Sequence, residues 1–503
     1  MQEEAAETPF EMKVTVIGAG YVGLSIGLAL AYLGHDVTCV DVDEVKIERL
    51  CAGDVPIYEP WLGEMLDQVG DRIRFTTRYV EAVPEADVIF IAVGTASLPT
   101  GSPDLQHIMA AAHGIGEHLG KRFTVVVNKS TVPIGSAYWL ERLVCDAVES
   151  HVGNVRNVQF AVASNPEFLS EGSALHDTLY PDRLVIGTDD PRALQTLRRL
   201  YRPILEQSFP APAFLPRPEG LEAARAITSD PIRLRLDGAR SVLTLNFPTP
   251  ACLSRPEGLE VVPWIATDLV SAELIKYSAN AFLALKVSFI NEIAQLAERV
   301  GADVTQVAKG IGLDPRIGPH FLRAGIGWGG SCFGKDTAAL LAIAQEYDLA
   351  MPIVKAAREV NYGQRERVVK KLMAELKVLK GRTVGLLGLS FKPHSDDLRD
   401  APALDIARQL IARGAKVKAH DPVALERARL EHPDIGISYC SQPEQVACNA
   451  DALVLLTEWP AYEELPWEEL APTMRSPLVL DGRNALDRSR LERAGFRYLG
   501  MGR

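Results

Sequence analysis

The sequence has no apolar run approaching the roughly 20 residues that a membrane-spanning helix requires, so no such helix is expected. It also lacks a dense Lys/Arg block: 53 Lys+Arg stand against 65 Asp+Glu, for a net charge of −12. That balance argues against nucleic acid or an anionic membrane as the main partner, but not against a small anionic molecule, which needs only a local positive site. No cysteine spacing fits a metal site, and no metal is expected. The seven cysteines are scattered and odd in number, which reads as reduced thiols in a cytoplasm rather than a disulfide framework. The acidic start "MQEEAAETPFE" lacks the apolar stretch of a signal peptide. What remains is an ordinary globular composition, 47% hydrophobic and 23% charged, in 503 residues, too many for one core.

The segment "KVTVIGAGYVGLSIGLALAYLGHDVTCVDVD" is the most legible. A β-branched run reads as a buried parallel strand, and "GAGYVG" sets Gly18, Gly20 and Gly23 in G-x-G-x-x-G spacing before a helical run. Gly18 makes the tight turn, Gly20 lets a pyrophosphate reach the helix N-terminus, and Gly23 permits close helix–strand packing. Asp41 ends the second strand about 20 residues on, where a carboxylate accepts a ribose 2′-OH and repels a 2′-phosphate. The expectation is a doubly wound α/β domain binding NAD rather than NADP. Further strands are read in "ADVIFIAVGT", "FTVVVNKST" and "VQFAVASNPEFLSEG". Thr95, Thr131, Glu167 and Glu171 fall just past their ends, where ligands bind in such sheets; each is equally readable as a cap or turn residue.

"TDLVSAELIKYSANAFLALKVSFINEIAQLAERVGADV" has no proline, and no glycine before Gly301. Apolar residues at Leu274, Tyr277, Ala281, Leu285 and Phe289 predict one long helix, with Asp268 or Thr267 as its cap. Lys276 and Asn280, four apart, share a face, either toward a polar pocket or toward solvent. Further on, "GIGWGGSCFGKD" surrounds Cys332 with glycines and follows it with Lys335 and Asp336. Glycines let another molecule approach the backbone, so Cys332 reads as a nucleophile beside a bulky substrate or as an inert loop residue. A lysine ammonium lowers a thiol pKa and stabilises an oxyanion, and a carboxylate can handle water. The set suits oxidation of an aldehyde through a thiohemiacetal and a thioester.

The last third repeats the strand–turn–helix–strand rhythm in "KGRTVGLLGLSFKPHSDDLRDAPALDIARQLIARGAKVKAHDP", with Lys392 and Arg399 suited to phosphate. Together, "VIGAGYVGL", "NPEFLSEGSA", "SAELIKYSANAFLALKVSFINEIA", "DPRIGPHFLRAGIGWGGSCFGKD" and "GLLGLSFKPHSDDLRDAP" resemble the UDP-glucose/GDP-mannose dehydrogenase family, in order and over nearly the whole chain. The resemblance implies two Rossmann-like domains joined by a long central helix with a helical dimerisation region. The expected division is 12–207 for NAD, 208–266 for a linker, 267–366 for the central region and 380–503 for the UDP-sugar domain. It implies oxidation of a nucleotide sugar's C6 alcohol to a carboxylate with two NAD. UDP-glucose is the expected substrate, GDP-mannose the alternative, and a non-catalytic nucleotide-sugar sensor a reading of another class.

By the same resemblance, Cys332 is the nucleophile and Lys276 the oxyanion stabiliser, assisted by Asn280. Glu167, Asp336 and Thr131 handle water. The cofactor positions are Gly18, Gly20, Tyr21, Val22, Gly23, Asp41, Lys46, Thr95, Thr131, Glu171, Lys335 and Arg399. The substrate positions are Glu167, Phe168, Leu169, Lys276, Asn280, Phe321, Leu322, Arg323, Ala324, Gly325, Gly329, Phe333 and Lys392. Arg316 reaches a partner's site across a homodimer built on the central helix. One departure is Gly334, where the family usually has proline or a larger residue. A second departure is a long insertion with an internal repeat. "FPAPAFLPRPEGLE" (Phe209 to Glu222) recurs as "FPTPACLSRPEGLE" (Phe247 to Glu260), identical at eleven of fourteen positions. "IRLRLDGARSVLTLNF" between them alternates like a hairpin. The insertion is expected to be surface decoration, with a lid or a partner-binding arm as the functional readings.

Overall fold

The computed structural model describes residues 11–96, 98, 101–152, 158–215 and 261–503. Most of the insertion, including the expected hairpin, lies outside the described residues.

Eight short strands form the first sheet: β1 (Lys13–Ile17), β2 (Asp36–Val40), β3 (Ile73–Thr76), β4 (Val88–Ile91), β5 (Thr124–Asn128), β6 (Phe160–Ser164), β7 (Leu184–Gly187) and β8 (Trp264–Thr267). Their order is β3-β2-β1-β4-β5-β6-β7-β8. β1 pairs in parallel with β2 and β4, and the order reverses there, which makes the β1/β4 crevice the ligand position of a doubly wound sheet. The inner strands β1, β4 and β5 are near-continuous buried runs because helices cover both faces, whereas β3 and β8 at the edges are partly exposed. β7 and β8 depart from the all-parallel pattern: β7 meets β6 antiparallel, and β8 runs with β7.

The second sheet contains β9 (Thr383–Leu387), β10 (Lys416–His420), β11 (Ser438–Tyr439), β12 (Ala452–Leu455), β13 (Leu478–Asp481) and β14 (Arg497–Leu499), in the order β11-β10-β9-β12-β13-β14. All its pairings are parallel. Two Rossmann-like units are therefore present, as expected.

Seven helices carry the argument: α1 (Tyr21–Tyr32), α2 (Ser136–Val152), α3 (Ala174–Leu179), α4 (Leu269–Val300), α5 (Phe333–Glu346), α6 (Pro352–Leu376) and α7 (Pro402–Ala412). α4 is continuous over 32 residues. Asp268 caps it, accepting from Ser271 N at 2.8 Å, and Gly301, at φ +77°, ends it. The apolar residues whose spacing predicts this helix do not all face the core. Tyr277 and Ala281 are buried, but Leu274 and Phe289 are exposed, so α4 is apolar on two faces.

The first seven residues of the insertion are not surface decoration. Phe209 and Leu215 are 7% and 2% exposed and belong to the first sheet's core. Val261 N and Val262 N both donate to Leu205 O, at 2.8 and 3.1 Å, so the insertion leaves and returns at one point.

Candidate active site

The glycine turn after β1 fits a pyrophosphate. Gly18 has φ +102°, a conformation that disfavours any side chain. A Cβ on Gly23 would lie 1.7 Å from Gly18 O, whereas one on Gly20 would meet nothing within 4 Å, leaving the α1 N-terminus approachable. Asp41 Oδ2 accepts from Ala19 N at 2.8 Å and from Lys46 Nζ at 2.9 Å. Burial works to raise the Asp41 carboxyl, but these bonds, one from Asp43 N and the Lys46 charge outweigh it and hold its pKa below the ordinary value. Asp41 is thus an ionised carboxylate already shared with Lys46. Val22 follows the turn in α1 and is half-buried.

At the start of α4, Lys276 and Asn280 are both buried, which removes the solvated-face reading. Lys276 Nζ donates to Glu167 Oε1 at 2.8 Å and to Glu167 O at 2.6 Å, closing a 109-residue gap in the chain. It also lies 5.5 Å from the centroid of the Phe168 ring. Burial opposes charge on both partners of this pair. Even so, Glu167 falls below its ordinary value through Lys276, the Leu169 N–H and Lys129, and Lys276 rises through Glu167, Cys332 and Asp336. Asn280 Nδ2 donates to Asp336 Oδ2 at 2.6 Å. Asp336 Oδ1 lies 3.0 Å from Lys335 Nζ, an ion pair outside hydrogen-bond geometry.

Cys332 sits immediately before α5, with its sulfur 3.5 Å from Ser331 Oγ. Burial, then Glu167, push the thiol above its ordinary pKa; Lys276 pulls it down and Asp336 pushes it up again. The sequence alone pointed to a lysine-activated thiolate. The structure shows why that is incomplete: Glu167 already engages the ammonium. A small cavity of about 10 Å³ beside Lys276 is lined by Thr131 together with Lys129, Ser164, Glu273 and Tyr277. Cys332, Lys276, Asn280, Asp336, Glu167 and Thr131 are thus gathered in one region, Cys332 and Thr131 half-buried and the other four buried.

The glycines of the cysteine loop have a different cause from the one read in the sequence. A Cβ on Gly325 would lie 2.6 Å from Gly482 O, and one on Gly329 would lie 2.4 Å from Asp400 O. The loop is pressed against the second sheet unit, so these positions serve backbone packing. At Gly334, a Cβ would lie 3.1 Å from Asp400 Oδ2, so the larger residue usual in the family would need Asp400 to give way.

Other expected cofactor residues tie segments together. Tyr21 OH donates to Asp396 at 2.9 Å, and Lys335 Nζ to Thr95 Oγ1 at 3.4 Å. Glu171 accepts from Ser331 Oγ, Ser395 Oγ and Arg399 Nη2 at 3.1, 3.2 and 3.1 Å. Arg399 is therefore not a free phosphate ligand, since Asp397 also holds it through two bonds at 2.8 Å. Burial, then Asp397, raise the Glu171 carboxyl against Arg399.

Among the described residues, Lys392 makes no hydrogen bond or ion pair; burial lowers its pKa against the pull of Glu171, Glu59 and Asp177. Leu322 and Ala324 are core residues packed with Ile290 and Ala294, so only their backbones can serve a ligand. Phe321, at φ +63°, and Phe333 stand 6.1 Å apart, ring to ring. Arg323 is exposed. Arg316 is not brought to the site: its side chain is 88% exposed and paired with Asp314.

Two residues were missed. Lys129 is fully buried and donates to Asn165 Oδ1 at 3.1 Å, and burial lowers its pKa to about 8 against the pull of Glu167. It directly follows β5, so the rule that singled out Thr131 would have found it. Arg483, two residues past β13, donates to Gly327 O at 3.1 Å and to Phe391 O at 3.0 Å, joining the cysteine loop to the second sheet.

Models of three domains of one family match the chain. They are the NAD binding domain (residues 12–205), the central domain (270–363) and the UDP binding domain (385–488) of the UDP-glucose/GDP-mannose dehydrogenase family. The UDP-glucose 6-dehydrogenase TuaD of Bacillus subtilis (strain 168) is 40% identical over 98% of this chain and 93% of its own. The UDP-glucose 6-dehydrogenase of Rhizobium meliloti (strain 1021) is 40% identical over 98% of this chain and all of its own. A solved UDP-glucose dehydrogenase from the hyperthermophilic archaeon Pyrobaculum islandicum superposes with a TM-score of 0.80 at 37% identity, covering 97% of each chain.

Proposed function

The chain belongs to the UDP-glucose/GDP-mannose dehydrogenase family, and on that premise we propose that it oxidises UDP-glucose at C6 to UDP-glucuronate with NAD. The observation that carries this reading is the half-buried Cys332 clustered with the buried Lys276, Glu167, Asn280 and Asp336 in a chain 40% identical to UDP-glucose 6-dehydrogenases. An inactive nucleotide-sugar sensor would have no use for such a thiol.

Two NAD, bound one after the other, would each accept one of the two hydrides that leave C6. The Gly18–Gly23 turn would hold its pyrophosphate and Asp41 its ribose. Lys276 stabilises negative charge on the C6 oxygen, first as the alcohol loses its proton and later when sulfur adds. The Cys332 sulfur bonds to C6 of the aldehyde, and the thiol proton passes to the oxygen. Loss of the second hydride, with the hydroxyl proton passing to water, leaves a thioester. Water positioned by Glu167, Asp336 and Thr131 then adds and gives up its protons, the C–S bond breaks, and the thiol is regenerated with the carboxylate. Asn280 fixes the Asp336 carboxylate by its 2.6 Å bond. Lys392 and the backbone from Phe321 to Gly325 would hold the uridine diphosphate.

The test is stoichiometric. One UDP-glucose is expected to yield two NADH and one UDP-glucuronate, with no free aldehyde. Aldehyde accumulating as the main product would remove the thioester, and turnover of GDP-mannose in preference to UDP-glucose would move the substrate assignment. Cofactor choice follows from Asp41. Like charges about 4 Å apart near a surface repel by about 4 kcal/mol. Lys46 offsets part of this, so NADP should fall roughly 10–100-fold below NAD in kcat/KM. Asp41→Ala should narrow that gap, because Lys46 is then free for a 2′-phosphate; an unchanged ratio would reassign Asp41.

We also propose a homodimer, in a cytoplasmic enzyme, with the domain division given above. α4 presents Phe282, Phe289 and Leu296, each seven residues after the last, at 59%, 47% and 59% exposure. A second copy is the partner that would cover this stripe, and Arg316 would then reach the neighbouring site.

A further inference from the structure

The repeated sequence of the insertion is not absorbed by the dehydrogenase reading, and the first copy has a built seat. Phe209 packs its ring on Tyr32 at the end of α1 (centroids 6.4 Å apart) and on Tyr180 just after α3 (5.7 Å). Tyr32 OH donates to Pro210 O at 2.8 Å. Leu215 N turns back to Pro212 O at 3.1 Å, which drives the Leu215 side chain into the same core. The buried positions of the seven-residue strap Phe209–Leu215 are Phe209, Pro212 and Leu215.

The second copy keeps all three, as Phe247, Pro250 and Leu253. Within the strap, the copies differ only where the first is exposed or half-buried: Ala211 becomes Thr249 and Phe214 becomes Cys252. The differences spare the three buried anchors, although Cys252 stands for Phe214, a half-buried ring packed against the same core. Leu253 stands eight residues before Val261, which is pinned to Leu205 O at the root of the insertion, and eight extended residues span roughly 26 Å.

We propose that the groove formed by Tyr32, Tyr180 and the core beneath them is a docking site for a second occupant in the same chain, the segment Phe247–Leu253, which takes the place of Phe209–Leu215. Exchange moves a unit of 38 residues from the C-terminal to the N-terminal side of the docked strap without altering the sheet. Because the groove is built on α1, whose N-terminus carries the glycine turn, either strap braces the same helix.

The test is a cycle on the full chain. Phe209→Ala and Phe247→Ala are each expected to shift the thermal midpoint by less than about 2 °C, since the intact copy fills the groove. The double variant should lose roughly 10 °C, the scale of emptying a buried Phe site. Deleting residues 209–246 joins Ser208 to Phe247 and should leave the midpoint and NADH turnover within error of the parent. A photo-crosslinking residue in place of Tyr32 should capture 209–215 in the parent and 247–253 in Phe209→Ala. Three results would each overturn the proposal: Phe209→Ala as damaging as the double variant, a harmless double variant, or no crosslink to 247–253. A deletion protein that fails to fold would also overturn it, because every buried anchor is restored in that protein.

Discussion

With Cys332→Ser, steady-state NADH production is expected to fall to background while the protein stays folded. The substitution changes one atom in a half-buried position already beside a hydroxyl, Ser331 Oγ at 3.5 Å, so packing is kept. What is lost is nucleophilicity. Even a thiol pushed up by burial and Glu167 ionises far below an aliphatic alcohol, and the nearby Lys276 ammonium favours the thiolate once substrate binds. A serine hydroxyl cannot match that, and an ester formed slowly on it leaves as an alkoxide rather than a thiolate. Intact-protein mass spectrometry after incubation with UDP-glucose and NAD should then find a long-lived adduct. Turnover within about tenfold of the parent, where loss of a nucleophile costs far more, would take Cys332 out of the covalent role.

Lys276→Ala is expected to lower kcat by roughly 10²–10³ or more, the scale of losing one oxyanion donor, with a much smaller change in KM for UDP-glucose. The complication is Glu167. Removing the ammonium leaves a buried carboxylate with only the Leu169 N–H and the charge of Lys129, and breaking a buried pair costs about 3–5 kcal/mol of stability. The double variant Lys276→Ala/Glu167→Gln removes that unpaired charge, so it should regain thermal stability without regaining kcat. Recovery of both would mean that the lysine is structural. Thiol alkylation at neutral pH should also slow in Lys276→Ala. The cation lowers the Cys332 pKa, so its loss raises the pKa and cuts the thiolate fraction at fixed pH. Unchanged alkylation would place Lys276 away from the sulfur.

The sequence by itself determined the local parts of this protein. The strand–glycine–helix–strand unit ending at Asp41, the second sheet unit and the long helix through Lys276 and Asn280 are legible because hydrophobic period, glycine spacing and capping act over a few residues. The family's motifs added which residues belong to the chemistry. Tertiary structure decided what those residues meet. Glu167 and Lys276 are 109 residues apart, and Asn280 and Asp336 are 56 apart; no local rule says that the lysine's charge is already shared or which carboxylate the amide holds. The cysteine loop makes the same point. Its glycines look built for a ligand, yet Gly325 and Gly329 answer to backbone oxygens of Gly482 and Asp400. The start of the first copy of the repeat reads as surface decoration, yet Phe209 and Leu215 lie in the core. In each case a short-range pattern fixes what a residue can do, while burial and the charges brought beside it by folding fix what it does, because desolvation and Coulomb forces depend on neighbours in space, not in sequence.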